Sequence, residues 1–344
     1  MWAAFWKARK QSQYKNTFAQ AVEQALEPAL EDEFMQAAIL MPVLEGQAVA
    51  NDFAEAQRTM DRLLELGRTV ADAPRKLIVL LSVARASNMF GRKAEARSLV
   101  DQMLSVNTPI SGDLPPESLL ILGGIAQVLA DMGDKQKAAA LLDNVLEDFD
   151  VTSVDNENRR DEVLALLLTV RAGMQDFPNA ISTLDEALVF AEMIDPRESA
   201  QADTIILIAE AYAKIGAVSE ARTALSRAIG LARGLPDSGS QAVLFMSIAK
   251  VQNILGDKAK TNASLSYASE RVLRIVEKPE RAIALALLAQ AYVEAGRAKK
   301  AHPVIYSAIR VASKIRDKEE KAIALANVTR SMAKVAKELS FPLI

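Results

Sequence analysis

Apolar residues recur at helical spacing along almost the whole chain, and short polar stretches interrupt them. In the middle of the chain, Ile205, Ile208 and Tyr212 are three or four positions apart, which places them on one face of a helix. Gly216 follows where that helix should end, because glycine adopts a positive φ without a Cβ clash. A second apolar stripe starts at Ala221. The stretch is therefore predicted to form a helical hairpin.

The same hairpin pattern recurs with a steady period. In each copy, an anchor residue ends the first helix, and a small residue follows five positions later. The seven anchors, spaced 40 to 42 residues apart, are Asn51, Gly91, Gly133, Gln175, Gly216, Gly256 and Gly296. No stretch alternates apolar and polar residues with the period of a strand. The sequence thus predicts an all-α fold built from stacked hairpins.

The pattern resembles the tetratricopeptide repeat (TPR) superfamily, in a variant with a longer period. That family has a small residue seven positions before the turn glycine, as at Ala209 and Ala289, and an aromatic residue four positions before it, as at Tyr212 and Tyr292. The proline that ends a standard unit is missing here. The resemblance covers residues 32–338. It implies a right-handed α-solenoid of about seven TPR-like hairpins and a role in protein–protein interaction.

Capping helices are expected at both ends of this array. The repeats are assigned to residues 32–316, the N-terminal cap to residues 1–31, and the C-terminal cap and tail to residues 317–344. Solenoids need such caps because the last repeat would otherwise expose its apolar face.

The residues on which most catalytic and metal sites depend are scarce. The chain has no cysteine and one histidine, His302. Disulfides, thiolate metal sites and Ser-His-Asp arrangements are therefore not indicated. No glycine-rich phosphate loop is present either. We expect no catalytic residues, no metal and no cofactor, and we expect the protein not to be an enzyme.

Charge is distributed unevenly along the chain. Residues 1–22 carry a net charge of +4, residues 23–249 carry −16, and residues 250–344 carry +9. This asymmetry suggests a structural protein that self-assembles into a homo-oligomer through its acidic body and basic C-terminal end. Solvated helix faces would give the same pattern. The basic end lacks interleaved aromatic residues, so nucleic acid is not an expected partner.

The first helices of the hairpins are expected to line a concave groove. Two pairs place a cation and an amide one helical turn apart, Arg85 with Asn88 and Lys250 with Asn253. Such pairs suit a carboxylate or a peptide backbone, although a solvated polar stripe would look the same. The candidate groove residues are Arg85, Asn88, Gln127, Glu210, Lys250, Asn253, Gln290 and Arg330. The sequence therefore predicts a scaffold or adaptor that binds a peptide or helical segment of another protein in this groove.

The N-terminus is the second candidate contact. Trp2, Phe5 and Trp6 stand beside four basic residues, a combination that suits a partner protein or a membrane surface. Packing on the first repeat is the alternative. The sequence shows no signal-peptide pattern and no run of 18 apolar residues. A cytoplasmic protein is expected, or a periplasmic one if a signal peptide has been removed.

Overall fold

The computed structural model describes residues 19, 22–23, 32–105, 116–147, 157–174 and 177–338. These residues form fifteen helices and no strand, which confirms the predicted all-α fold. The helices in chain order are α1 (Glu33–Ala50), α2 (Phe53–Thr69), α3 (Ala73–Met89), α4 (Lys93–Ser105), α5 (Pro116–Met132), α6 (Lys135–Glu147), α7 (Glu157–Ala172), α8 (Phe177–Met193), α9 (Ser199–Ile215), α10 (Val218–Gly234), α11 (Ser238–Ile254), α12 (Lys258–Val272), α13 (Lys278–Glu294), α14 (Ala298–Ala312) and α15 (Lys318–Glu338).

The anchors end the first helices as the sequence predicts. Six of the seven have a positive φ, and the seventh, Gln175, lies outside the described residues. At Gly216, with φ of 88°, the backbone N–H donates to the carbonyl of Ala213 at 3.2 Å, and the next N–H donates to that of Tyr212 at 2.9 Å. These bonds satisfy carbonyls that the helix end leaves open.

Aspartates begin several of the helices. Their carboxylates accept hydrogen bonds from the backbone N–H three residues on, the usual N-cap arrangement. The four clearest caps are Asp32 at 2.7 Å, Asp72 at 2.9 Å, Asp237 at 2.5 Å and Asp317 at 2.9 Å. The hydrogen bond from the backbone N–H of Ser240 lowers the pKa of Asp237.

The chain divides into two compact units, which we call the end unit and the middle unit. The end unit combines residues 1–90 with residues 265–344, and the middle unit comprises residues 91–264. The end unit therefore contains α1–α3 and α13–α15, while the middle unit contains α4–α11. Helix α12 is divided between them. The first and last repeats of the chain thus belong to one unit.

In the middle unit, neighbouring first helices pack side by side. Helix α7 contacts α5 and α9, and α9 contacts α11. A Cβ added at Gly123 would lie 3.1 Å from the Cδ2 of Leu167, so glycine permits the close approach of α5 and α7. Side chains also link successive hairpins. Arg97 pairs with Asp134 at 2.5 Å, and Arg222, at the same repeat position, pairs with Asp257 at 3.3 Å.

Buried glutamines add a second link between hairpins of the middle unit. The amide of Gln201 donates to the carbonyl of Ile194 at 2.8 Å, and the amide of Gln241 donates to that of Leu235 at 2.7 Å. Both glutamines stand near the start of a first helix and reach back to the end of the preceding second helix. Because a buried amide needs hydrogen-bond partners, this bond fixes the position of each hairpin relative to the preceding hairpin.

In the end unit, the last helix packs on the first. Helix α15 contacts α13, α14 and α1, and α1 in turn contacts α2 and α3. The first helices of this unit therefore follow one another in the order α13, α15, α1, α3. A buried core joins α1, α13, α15 and the end of α14, and it consists of Ile39, Val43, Ala282, Ala312, Ile315, Ala322, Ala324, Leu325 and Ala326. Sequence analysis treated residues 317–344 as a cap, and the structure shows that α1 packs on α15.

A glycine lies at the contact between α1 and α15. A Cβ added at Gly46 would stand 3.2 Å from the Cα of Arg330 and 3.4 Å from the carbonyl oxygen of Thr329. The two backbones thus approach too closely for a larger residue without a shift. Pro42 lies within α1, and the helix continues through it from Glu33 to Ala50 rather than breaking there.

Candidate binding surface on the first helices

One repeat position carries most of the candidate groove residues. Seven residues lie six positions before an anchor, and Arg330 lies one period of 40 residues after Gln290; we call these eight residues the polar row. They are Glu45, Arg85, Gln127, Thr169, Glu210, Lys250, Gln290 and Arg330. The end unit holds Glu45, Arg85, Gln290 and Arg330, and the middle unit holds the other four.

In the middle unit, Glu210 is buried between two lysines. Its carboxylate accepts from the Nζ of Lys214 at 2.7 Å and from the Nζ of Lys250, in the next hairpin, at 2.8 Å. Burial alone would raise the pKa of Glu210, but the hydrogen bonds and charges of the two lysines outweigh it and lower that pKa. Lys250 and Glu210, two of the predicted binding residues, therefore neutralise each other.

In the end unit, Glu45 is held in the same way. Arg330 reaches its carboxylate at 3.4 Å and Lys334 at 3.1 Å, and both bases come from α15. Arg330 also donates to the Oδ1 of Asn327 at 3.2 Å. Its side chain is 28% exposed. The structure thus places Arg330, predicted to bind a partner, at a contact between the two ends of the chain.

Three further row residues bond within their own helices. The amide of Gln127 donates to Asp131 at 2.8 Å, and the amide of Gln290 donates to Glu294 at 2.7 Å. The hydroxyl of Thr169 donates to a backbone carbonyl one turn earlier at 2.7 Å. These side chains have a partner before any ligand arrives.

Arg85 on α3 differs from the rest of the polar row. It is exposed, and within the part of the chain that the structure describes it makes no hydrogen bond or ion pair. One turn further on, the Oδ1 of Asn88 is shielded from solvent and accepts no hydrogen bond from a described residue. In the other cation–amide pair, Lys250 is bound to Glu210 and Asn253 also has a partner. The two pairs look alike in sequence but differ in availability.

The reason that Arg85 is unpaired lies on the neighbouring helix. Glu45 stands one hairpin before Arg85, as Glu210 stands one hairpin before Lys250. However, Arg330 and Lys334 already pair with the carboxylate of Glu45. The packing of α15 on α1 therefore leaves Arg85 without the partner that its repeat position would give it.

Apolar side chains continue the surface beyond Arg85. Met89 lies one turn after Arg85, and its side chain is 52% exposed. Phe53 is 51% exposed, and its ring packs on that of Phe90 with the centroids 4.7 Å apart. We call Phe53, Arg85, Asn88, Met89 and Phe90 the α3 patch. The two phenylalanines were not predicted from the sequence, although Phe53 and Phe90 lie beside two consecutive predicted turns and could have been identified there.

The remaining candidates add little to this surface. Trp2, Phe5 and Trp6 lie outside the described residues. His302 stacks near Tyr306, with ring centroids 5.0 Å apart. Across residues 32–105, 116–147, 157–174 and 177–338, no group of three or more His, Cys, Asp or Glu side chains is arranged to hold a metal ion. None of the described helices is both long enough and apolar enough to cross a membrane.

No protein-family model and no curated protein sequence matches the chain. The chain is similar to several solved structures. The chain is similar to the Rap protein complexed with competence and sporulation factor, with 14% identity over 81% of this chain and 77% of that one and a TM-score of 0.39.

Two further solved structures match the chain with comparable sequence identity, coverage and TM-score. A tetratricopeptide repeat protein from Parabacteroides merdae ATCC 43184 is 14% identical over 83% of this chain and 98% of that one, with a TM-score of 0.36. NprR in complex with its cognate peptide NprX is 14% identical over 88% and 82%, with a TM-score of 0.35.

Proposed function

We propose that this protein is a non-enzymatic scaffold or adaptor that binds an acidic peptide or helical segment of another protein at the α3 patch. One observation carries the proposal. Arg85 is the only one of the eight polar-row residues that makes no bond to another described residue. An exposed guanidinium without an internal partner can bind a carboxylate without first breaking an ion pair.

The neighbours of Arg85 favour a peptide over a free anion. Asn88 lies one turn away, and its amide NH2 group, unlike its shielded Oδ1, can donate to a backbone carbonyl of a peptide. Met89 and Phe53 add exposed apolar area, and flexible methionine and aromatic side chains commonly anchor bound helices. A partner that combines an acidic residue with a nearby apolar one fits both features.

The alternative of self-assembly through the basic C-terminal end has less support. Two bases of that end, Arg330 and Lys334, already pair with Glu45 of the same chain. Unpaired bases elsewhere in residues 250–344 would have to drive it. Molecular mass measured by light scattering over a range of protein concentrations separates this alternative from a monomeric adaptor.

The proposal is tested by affinity capture from native lysate, with quantitative mass spectrometry of the bound proteins. Wild type is compared with Arg85→Glu, and Arg58→Glu serves as the matched control because Arg58 is a 76% exposed arginine on α2. We expect that Arg85→Glu fails to capture a set of proteins that wild type and Arg58→Glu both capture. We also expect a synthetic acidic segment of one of these proteins to bind wild type directly. Equal recovery by all three proteins contradicts the proposal.

A further inference from the structure

Val22 is an outlying member of the end-unit core. It is helical and half-buried, and it packs against the buried cluster that joins α1, α13, α14 and α15. Its neighbours Ala19 and Glu23 are helical and exposed. Through Val22, the N-terminal segment thus packs against a buried cluster to which α15 contributes Ala322, Ala324, Leu325 and Ala326.

Helix α15 has the register of a first helix. Its Ala322 and Leu325 follow Ala282 and Leu285 of α13 by 40 residues, and all four are buried. The first helices α1, α5, α7, α9 and α13 each pack against the second helix that follows them in sequence. A second helix is therefore expected to cover the corresponding face of α15.

Val22 has the register of a second helix. One period of 41 residues before Asn51 is position 10, and Val22 follows that position by 12 residues. The residues 12 positions after the later anchors Gly216, Gly256 and Gly296 lie on second helices and are fully buried. They are Ala228, Ala268 and Ala308. By sequence position and by contact, Val22 belongs where a second helix would pack.

We propose that the face that α13 and α15 contribute to this buried cluster is a docking surface for the N-terminal segment of the same chain. One hairpin would then be assembled from the two ends of the protein, with α15 as its first helix and the segment that carries Val22 as its second. This inference is independent of the function proposed for the α3 patch.

The covalent connection favours the chain's own segment over that of a second copy. Helix α1 begins at Glu33, 11 residues after Val22, and α1 itself packs on α15. Because the tether is short and its far end is already fixed beside the surface, the effective concentration of the segment is high. The docked segment and helix α1 then both hold α15 in its position.

The absence of native cysteine makes the inference directly testable by cross-linking. Val22→Cys is combined in turn with Ile283→Cys, Val311→Cys and Ile323→Cys, the other half-buried residues on the same cluster. After treatment with a short bismaleimide, we expect an intrachain cross-link in at least one pair, identified by mass spectrometry. Glu23→Cys with the same partners is the matched control, and its cross-link yield should fall several-fold because Glu23 is exposed.

Two outcomes overturn the inference. In the first, all three pairs remain folded by circular dichroism and none cross-links within the chain. In the second, the double variants give no intrachain cross-link, but a mixture of the Val22→Cys and Ile323→Cys single variants gives a cross-linked dimer, which shows that the segment docks on a second copy.

Hydrogen exchange gives a second readout that does not need cysteines. We expect Val22→Asp to accelerate amide exchange in α15 several-fold and Glu23→Lys to leave it unchanged, because only Val22 packs on the cluster. Unchanged exchange of α15 in Val22→Asp overturns the inference.

Discussion

Glu45 and Glu210 occupy the same repeat position, and each binds two bases. In the middle unit, Glu210 pairs with Lys214 of its own helix and with Lys250, 40 residues further along the chain. In the end unit, both partners of Glu45 come from α15: Arg330 lies 285 residues away, and Lys334 lies four residues after Arg330. The same local chemistry is thus used once between consecutive hairpins and once between the two ends of the chain.

This difference decides which cation is left for a partner. Because Glu210 faces the following hairpin, Lys250 is neutralised. Glu45 is engaged by Arg330 and Lys334, so Arg85 of the following hairpin is not. The contact that brings the chain ends together therefore also makes Arg85 available.

The largest expected effect comes from a substitution at the contact between α1 and α15. Gly46→Val places a Cβ 3.2 Å from the backbone of Arg330, and we expect it to reduce the free energy of unfolding by about 2–3 kcal/mol through overpacking. Gly230→Val is the control, since a Cβ at Gly230 meets nothing within 4 Å. Urea unfolding measures both. Equal stability of the two variants would mean that α1 and α15 do not pack closely.

The next effect separates the two glutamates. Glu210→Gln leaves Lys214 and Lys250 close together without their buried carboxylate, and we expect a loss of about 1.5 kcal/mol. Glu45→Gln should cost only about 0.5 kcal/mol, because the Glu45 side chain is 38% exposed and solvent screens its pairs. The urea midpoints of the two variants give the comparison, and the reverse order would contradict it.

The contribution of Glu210 should also depend on pH. Its folded-state pKa is lowered, so its stabilisation is present above the unfolded-state value of about 4.5 and is lost as pH falls through the lower folded-state pKa. We expect the difference in Tm between wild type and Glu210→Gln to be full at pH 7 and to shrink towards zero at strongly acidic pH. A difference that stays constant with pH would show that the loss in Glu210→Gln is not electrostatic.

The smallest expected effect is that of Arg85→Ala. Since Arg85 has no partner among the described residues, the change should alter the free energy of unfolding by less than about 0.5 kcal/mol while partner capture is lost. Thermal unfolding beside the capture experiment tests this separation. A marked fall in Tm would mean that Arg85 serves the fold.

The sequence predicted the parts of the fold that depend on local chemistry. Asn51 and Gly216 end helices with a positive φ because their neighbours three to four residues away supply the carbonyls. The contact between Gly46 and Arg330 could not be predicted in the same way. A period of 40–42 residues specifies how each hairpin meets the next, but contains no information on whether the last one meets the first.

The sequence predicted where the candidate residues lie, but it did not predict which of them pair with another residue of the same chain. Arg85 with Asn88 and Lys250 with Asn253 form the same motif, and only their surroundings distinguish them. The pairing of Lys250 could have been read from Glu210, one period earlier. The lack of an internal partner for Arg85 could not be predicted, because it depends on the packing of α15 against α1, and the repeat spacing carries no information on that long-range contact.

The most direct test of this account is the rate at which phenylglyoxal modifies Arg85, followed by peptide mass spectrometry. In wild type, we expect Arg85 to react several-fold faster than Arg330, which is paired and 28% exposed. In the double variant Arg330→Ala/Lys334→Ala, Glu45 is free to turn to Arg85, and the modification of Arg85 should slow. Slow modification of Arg85 in wild type, or the same rate in both proteins, would contradict the claim that α15 keeps Arg85 available for a partner.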